Sequence, residues 1–215
     1  MNKIQYSTRK YDFASLIRGW LGVGELNKLH SHKKYEIFSR KEDQSSKWHK
    51  IFYEKVRSDD SFQVMYKSFL SEIVKPRYGG EQIVYQNIPT FRVHLAGNIA
   101  VGEYHKDKSY RKKEWAEQVK ETNYYLPFTD TNENNTIWVE SEEDKADFTP
   151  MLLKYGEIME WDGSNLTHGN KVNESDATRV SVDFRVMPRS AYVDSLHTSI
   201  NTKIPFSIGG YYEVI

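Results

Sequence analysis

The chain has 215 residues, its 30 lysines and arginines are balanced by 30 aspartates and glutamates, and it contains no cysteine. This length predicts one large domain over residues 1–215 rather than two small ones, and the lack of cysteine excludes disulfides and thiolate metal sites. The balanced charge gives no electrostatic reason to expect nucleic-acid binding. No apolar segment is long enough to serve as a signal peptide or a membrane span, so a cytoplasmic protein without a membrane partner is expected.

Apolar residues spaced by three and four predict two helices in the first part of the chain. Ser45-Ser46 is expected to cap one and Asp59-Asp60 the other, and Pro76 and Gly79-Gly80 should end the second. We interpret residues 1–78 as a mainly helical layer that covers a sheet.

From residue 83 onward the pattern changes to alternating residues and short turns, which is typical of strands. The predicted strands are Phe91–Leu95, Ile99–Tyr104, Asn123–Phe128, Thr136–Val139, Leu152–Trp161, Arg179–Met187 and Tyr211–Ile215. Many short strands after a helical cover predict an α+β fold whose core, over residues 83–215, is a jelly roll of two sheets.

The strand that ends at Met187 alternates most sharply. Its apolar side chains are Val180, Val182, Phe184 and Val186, and its polar side chains are Arg179, Ser181, Asp183 and Arg185. In a strand these two sets face opposite ways, so the first fits a core and the second must face water or line a polar cavity. Asn123 and Tyr125 share a face in the same manner. Polar faces of this kind can form a site for a small ligand.

His105 and Asp107 stand two residues apart at the end of a predicted strand, so both side chains should point the same way. His168 lies far downstream, between two turns, and Gly169 beside it would let the backbone come close to a site. Two imidazoles and one carboxylate can hold Fe(II) and leave one face of the ion open. Arg179, with Ser181 on the same face, could clamp the far carboxylate of a chelating acid.

Taken singly, these residues have simpler interpretations. A His-x-Asp tripeptide arises by chance and can be an unliganded surface pair, and a lone histidine such as His168 is often structural. The combination of the three with Arg179 and Ser181 favours a metal site.

The same residues resemble the signature of the Fe(II)/2-oxoglutarate-dependent dioxygenases. This family has a double-stranded β-helix, which is a form of jelly roll, and the match covers about residues 83–188. Residues 123–128 and 161–168 also resemble a bacterial subgroup associated with streptomycin biosynthesis.

The resemblance implies that His105, Asp107 and His168 bind iron and act in catalysis, that Arg179 and Ser181 bind 2-oxoglutarate, and that Asn123 and Tyr125 add further cosubstrate contacts. The reaction would consume 2-oxoglutarate and O2 and release succinate and CO2. The protein would supply orientation and shielding, while iron and cosubstrate carry the redox chemistry.

The leading hypothesis is therefore an oxygenase that hydroxylates a small polar metabolite, with desaturation, epoxidation or ring closure as other outcomes. A cupin-like metal enzyme that does not use 2-oxoglutarate is the alternative enzyme, and a non-catalytic sugar-binding jelly roll is the alternative module. Residues 106–120 follow the iron pair and carry several lysines and arginines. They are interpreted either as a lid for an anionic substrate or as a solvated face.

Overall fold

The computed structural model describes residues 1–32, 45–100, 103–111, 115, 117–195, 197–199 and 203–215. In these ranges the α-helices are α1 (Phe13–Leu21), α2 (Lys47–Ser58) and α3 (Ser61–Phe69). The strands are β1 (Asn2–Gln5), β2 (Ile83–Gln86), β3 (Thr90–His94), β4 (Thr122–Pro127), β5 (Ile137–Val139), β6 (Thr149–Pro150), β7 (Glu157–Trp161), β8 (His168–Asn170), β9 (Arg179–Pro188) and β10 (Tyr212–Val214). Short 3₁₀ turns occupy Leu26–Ser31, Lys75–Tyr78, Asp107–Tyr110 and Arg189–Ala191, and a π-helical turn occupies Leu70–Val74.

Both predicted helices are present, and their caps are close to the predicted ones. The Ser46 side chain accepts a hydrogen bond from the backbone N–H of His49 at the start of α2. At the start of α3, Asp59 Oδ1 accepts one from the backbone N–H of Ser61 at 2.9 Å. These bonds satisfy backbone donors that a helix leaves free in its first turn. The helical segment after α3 ends at Gly79, whose φ of 65° is strained for other residues.

Two antiparallel sheets form the core. The larger sheet has the strand order β1-β7-β4-β9-β2-β10, with β3 also paired to β9, and the smaller has the order β6-β5-β8. Strand β9 is central because β4 pairs along one edge while β3 and β2 share the other. The predicted α+β fold, a jelly roll with a helical layer, is confirmed.

Strand β9 separates the core from the site. Val180, Val182, Phe184 and Val186 are fully buried in a cluster with α1, α2 and α3. Burial of each such side chain contributes about 1.5–3 kcal/mol. The alternate residues of β9 turn to the other side of the sheet, toward the smaller sheet, as the alternation predicted. A second cluster there joins Tyr125 and Trp161 of the large sheet to Val139 of the small one.

Residues 1–78 are not wholly helical, because Asn2–Gln5 form β1 at the edge of the large sheet, paired with Glu157–Trp161. The prediction missed this strand because its residues are mostly exposed and polar. Strand β1 is stabilised by its pairing with β7, and its sequence shows no alternation of apolar and polar residues.

The predicted strand Ile99–Tyr104 does not form as a strand in the residues that are described, and residues 101 and 102 lie outside them. Instead, Ile99 pairs with Val172 and His105 pairs with His168 through single bridges. The predicted strand Leu152–Trp161 begins only at Glu157 because a turn at Gly156, with φ of 103°, interrupts it.

Besides β1, three short strands were not predicted, namely β2, β6 and β8. The main hydrophobic cluster contains residues of both the helical layer and the large sheet, which supports the single domain over residues 1–215 that stays a prediction. No helix among the described residues has the length and apolar character needed to cross a bilayer.

The first testable prediction concerns His49, which is buried in α2 and whose Nδ1 lies 2.7 Å from Ser46 Oγ. Burial lowers the pKa of His49 from 6.5 to about 3, so the folded protein keeps the imidazole neutral. The unfolded chain binds a proton below pH 6.5, so this contribution to stability is present above that pH and is lost as pH falls toward 3. At pH 5 the loss should be roughly 2 kcal/mol.

Urea unfolding of the wild type and His49→Gln at pH 7 and pH 5 measures this loss. The variant should lose about 2 kcal/mol less stability between the two pH values. His32→Gln, which changes a partly exposed histidine, should retain the wild-type dependence. An equal loss in wild type and His49→Gln would contradict the prediction.

Candidate metal centre

Backbone pairing brings His105 and His168 together. The N–H of each residue donates to the carbonyl of the other, and both hydrogen bonds are 2.9 Å long. The two rings consequently lie side by side, with their centroids 4.4 Å apart. Strand β8, which begins at His168, also pairs with Val139 of β5, so the small sheet supports this histidine.

Hydrogen bonds to the backbone set the tautomer of both imidazoles. His105 Nδ1 donates to the carbonyl of Glu103 at 2.8 Å, and His168 Nδ1 donates to the carbonyl of Leu166 at 2.9 Å. A carbonyl accepts only, so the proton sits on Nδ1 and the lone pair of each Nε2 is free for a metal ion.

Asp107 lies between the two histidines at the start of a 3₁₀ turn. Its backbone N–H donates to the carbonyl of Gly163 at 2.9 Å. Its Oδ1 lies 3.6 Å from His105 Nε2 and 3.7 Å from His168 Nε2. One ligand atom of each of the three residues lies within 4.8 Å of the others. Two neutral imidazole nitrogens and one carboxylate oxygen fit a divalent transition ion.

The protonation states also suit metal binding. Burial alone would raise the pKa of Asp107, but the Arg185 guanidinium and the hydrogen bond from Asn123 hold it well below its usual range. Burial lowers the pKa of His168, which keeps its imidazole neutral. A carboxylate and a neutral imidazole are the forms that bind metal.

A narrow polar cavity lies beside these three residues. Five buried polar atoms that line it have no hydrogen-bond partner among the described residues: Asn123 Oδ1, Tyr125 OH, Trp161 Nε1, Arg179 Nε and Ser181 Oγ. A buried polar atom without a partner costs free energy, so such a concentration indicates a place where a ligand binds. The set contains all four residues predicted to contact 2-oxoglutarate.

Arg179 is 2% exposed and only partly engaged. Its Nη1 donates to the carbonyl of Asn135 at 2.8 Å and to Asn170 Oδ1 at 3.0 Å. Its guanidinium carbon lies 5.7 Å from the centroid of the Tyr125 ring, whose hydroxyl also faces the cavity. Its Nε remains available to an acceptor, as a carboxylate clamp requires.

Arg185 and Trp161 also line this cavity, and neither was predicted to be a site residue. Arg185 Nη2 donates to Asp107 Oδ2 at 2.6 Å. The Trp161 ring meets the His168 ring edge-on, with centroids 4.7 Å apart. The alternation of β9 already placed Arg185 on the polar face, but nothing in the pattern indicated which acid it would meet.

The basic residues beside Asp107 are less free than a solvated cluster would be. Lys106 pairs with Asp144 at 2.6 Å, Lys108 pairs with Glu143 at 2.6 Å, and Arg111 pairs with the buried Glu121. Lys112 and Lys113 lie outside the described residues, so the lid over residues 106–120 stays a prediction. The three described cations are neutralised, which weakens the case for an anionic substrate.

Trp115, the inward anchor proposed for this segment, is buried. It stacks on Phe206 with ring centroids 4.7 Å apart, and its Nε1 donates to the carbonyl of Val193 at 3.4 Å. The anchor therefore packs against the C-terminal part of the chain rather than in the narrow cavity.

The chain was compared with known proteins by sequence and by fold. No protein-family model matches it. It is 32% identical over 213 residues to the streptomycin biosynthesis protein StrG of Streptomyces griseus, covering 99% of this chain and 98% of StrG. Its fold matches CytC3 with Fe(II) and alpha-ketoglutarate at a TM-score of 0.52 and 13% identity, over 87% of this chain and 72% of that chain. EctD from S. alaskensis, with 2-oxoglutarate and 5-hydroxyectoine, matches at 0.52 and 12% identity, over 97% of this chain and 76% of that chain.

The second prediction is that His168→Ala abolishes binding of one equivalent of Fe(II), measured anaerobically by calorimetry. The substitution removes one of three ligand atoms and its Nδ1 bond to Leu166. His197→Ala changes a histidine distant in sequence from the triad and should bind iron as the wild type does. Iron affinity that is unchanged in His168→Ala would rule out this centre.

Proposed function

The chain belongs to the family of the streptomycin biosynthesis protein StrG, and we propose that it is an Fe(II)- and 2-oxoglutarate-dependent oxygenase that hydroxylates a small polar metabolite. The predicted resemblance to a subgroup associated with streptomycin biosynthesis is confirmed, and the fold shared with CytC3 and EctD supports the proposed activity. One observation carries the proposal. His105 Nε2, His168 Nε2 and Asp107 Oδ1 face one another beside a cavity whose buried polar atoms include several without a hydrogen-bond partner among the described residues.

In this proposal the three ligand atoms hold Fe(II). When bound, iron and 2-oxoglutarate supply the oxidation, in which one oxygen atom of O2 goes to succinate as CO2 leaves and the other goes to the substrate carbon. The chain's own part is to orient both imidazoles, to hold the carboxylate, and to shield the site from water.

Arg179, Ser181 and Tyr125 are proposed to bind the distal carboxylate of 2-oxoglutarate. Each contributes a buried N–H or O–H with no hydrogen-bond partner within the geometric limits among the described residues, and the two from β9 lie on one face of the strand. The open space between these groups is only about 40 Å³, so side chains must move outward as the cosubstrate enters. The binding of a charged group would satisfy several buried donors at once.

This arrangement favours the oxygenase over the two alternatives. A cupin-like enzyme without 2-oxoglutarate has no use for a buried arginine with a free Nε beside the metal. A sugar-binding module has no use for two histidines whose Nε2 atoms face a carboxylate. The unpartnered Arg179 Nε supports cosubstrate binding, and the paired orientation of His105 and His168 supports a metal.

The substrate is proposed to bind in a second, larger cavity of about 960 Å³. Trp161 lines both this cavity and the narrow one, so the two are neighbours. Charged side chains of both signs, including Arg111, Glu121 and Asp162, line the larger cavity. Its size and polar lining fit a small polar metabolite rather than a lipid or a macromolecule.

The test of the activity is a metabolite screen with Fe(II)-loaded protein, 2-oxoglutarate and O2, read out as succinate formed with a product heavier by one oxygen atom. Succinate that forms only in the presence of one metabolite would support the proposal. Succinate release that never depends on Fe(II) would overturn it.

The third prediction concerns the cosubstrate clamp. Arg179→Lys retains the positive charge but loses the planar fork and its Nε. The Kd for 2-oxoglutarate of the Fe(II)-loaded protein should rise about 10- to 100-fold, which is about 1.4–2.8 kcal/mol. Fe(II) affinity should be retained. Arg189→Lys, which changes an exposed arginine just after β9, is the matched control and should leave both constants unchanged.

The measurement is an anaerobic titration of the visible band of the iron–2-oxoglutarate chelate. An unchanged Kd in Arg179→Lys would refute the clamp. If Arg185→Lys alone raised the Kd without affecting metal binding, the clamp would belong to the other arginine on this face.

The fourth prediction concerns the reaction type. A halogenase of this family needs Ala or Gly where the carboxylate stands, to leave a position for chloride, and Asp107 fills that position here. Products formed in chloride buffer should therefore contain added oxygen, or a new double bond, epoxide or ring, but no chlorine. Mass spectrometry distinguishes these products, and a chlorinated product would contradict the assignment of Asp107.

A further inference from the structure

The two carboxylate oxygens of Asp107 have different surroundings. Oδ1 faces His105 Nε2 and His168 Nε2 at 3.6 and 3.7 Å. Oδ2 accepts hydrogen bonds from Asn123 Nδ2 at 2.8 Å and from Arg185 Nη2 at 2.6 Å. One oxygen is thus directed at the candidate metal position, while the protein itself occupies the other.

We propose that Arg185 and Asn123 are positioning residues that make Asp107 a ligand through Oδ1 alone. The inference rests on the proposed function, because it requires a metal ion at the three ligand atoms. A carboxylate can bind a metal through one oxygen or both. Two hydrogen bonds to Oδ2, one from a cation, oppose the second mode because metal binding by Oδ2 would have to break them.

The number of ligands matters for the chemistry. Three protein ligands on a six-coordinate ion leave three positions, which a chelating 2-oxo acid and O2 together require. An Asp107 that bound through both oxygens would take one of those positions. Holding Oδ2 therefore keeps the open face of the ion free.

Strand register brings the two donors to the same oxygen. Asn123 of β4 and Arg185 of β9 are direct partners in the antiparallel ladder. Both side chains point to the cavity side of the sheet, and Asp107 lies across from them. Asn123 can approach because residue 163 is glycine, where a Cβ would lie 2.6 Å from Asn123 Nδ2.

The guanidinium nitrogens of Arg185 that do not contact Asp107 have partners of their own. Its Nη1 donates to Gln86 Oε1 and to Tyr211 OH, both at 3.2 Å, and its Nε lies 3.9 Å from Glu121 Oε2. With these partners and Asp107, the guanidinium is engaged on every nitrogen. This distinguishes Arg185 from Arg179, whose Nε has no partner among the described residues. Arg185 is therefore assigned to the carboxylate ligand rather than to the cosubstrate.

The sign of one measurement separates positioning from simple charge. If Arg185 acted only as a positive charge near a cation, its removal would strengthen divalent metal binding. If Arg185 positions Asp107, its removal frees the carboxylate to rotate and weakens binding. Substitution of residues that orient metal ligands typically costs 10- to 100-fold in affinity.

The experiment is a titration of the full chain with Co(II), without 2-oxoglutarate, by calorimetry and visible absorption. Arg185→Gln should weaken Co(II) binding about 10- to 100-fold and Asn123→Ala about 10-fold. Arg185→Lys should fall between Arg185→Gln and the wild type, because it restores charge without the fork. The ligand-field bands of bound Co(II) should also change in Asn123→Ala, as Asp107 alters its coordination.

Arg189→Gln is the matched control and should reproduce the wild-type affinity and spectrum. Unchanged or tighter Co(II) binding in Arg185→Gln and Asn123→Ala would overturn the proposal. If Arg185→Gln does not fold, Asn123→Ala and Arg185→Lys decide by the same criteria. His168→Ala separates the two levels of inference. If it still binds Co(II) as the wild type does, the metal centre itself is wrong. If it does not, while the Arg185 and Asn123 variants do, only the positioning role fails.

Discussion

Two backbone hydrogen bonds exchanged by His105 and His168, both 2.9 Å long, join two segments that are far apart in the chain. Every other feature of the candidate centre depends on this pairing. It sets the two rings side by side, and the Nδ1 bonds to Glu103 and Leu166 then set their rotation. Asp107 follows His105 by two residues and is held at the same place by its own N–H bond to Gly163. The ligands are therefore brought together by the fold, with side chains fixed by backbone groups.

Strand β9 gives this arrangement its second support. Its apolar residues pack under the helices, so they fix the strand at the centre of the large sheet. Its polar residues then point into the space between the sheets. Arg179 and Arg185 stand on the same face yet meet different partners, Asn135 and Asn170 for one and Asp107 for the other. Under the proposed function, a single strand would supply both the arginine for the cosubstrate and the arginine that holds the metal-binding carboxylate.

The sequence predicted those features that depend on the spacing of neighbouring residues in the chain. The alternation of β9 is visible in a short window because a strand reverses its side chains at every residue. The spacing of His105 and Asp107 is equally visible, but Asp107 begins a 3₁₀ turn rather than continuing a strand. Strand β1 could not be predicted, since its polar residues are held by pairing with β7 and carry no alternation of their own. The segment from Ile99 was predicted to be a strand. In the structure, Ile99 and His105 each make a single bridge to the chain around His168.

Local sequence patterns could not identify the partner of Arg185, because that partner is set by tertiary structure. It depends on the register of β9 against β4, which sets Arg185 opposite Asn123, and on the path that brings Asp107 across them. Register is a tertiary property, decided by which faces are buried together. Sequence could thus assign Arg185 to a face but could not place it along the cavity. The pairing of Lys106 and Lys108 with acids of a distant loop was hidden for the same reason.

The ion pair of Asp107 with Arg185 has a consequence for how the protein matures. Many metal sites gather negative ligands that repel one another until the ion arrives, which ties folding to metal supply. Here the Arg185 guanidinium already offsets the charge of the carboxylate, and the His168 imidazole is neutral. The fold around Asp107 therefore does not require a metal ion to offset the charge of this carboxylate. We expect the centre to keep its shape when the ion is lost.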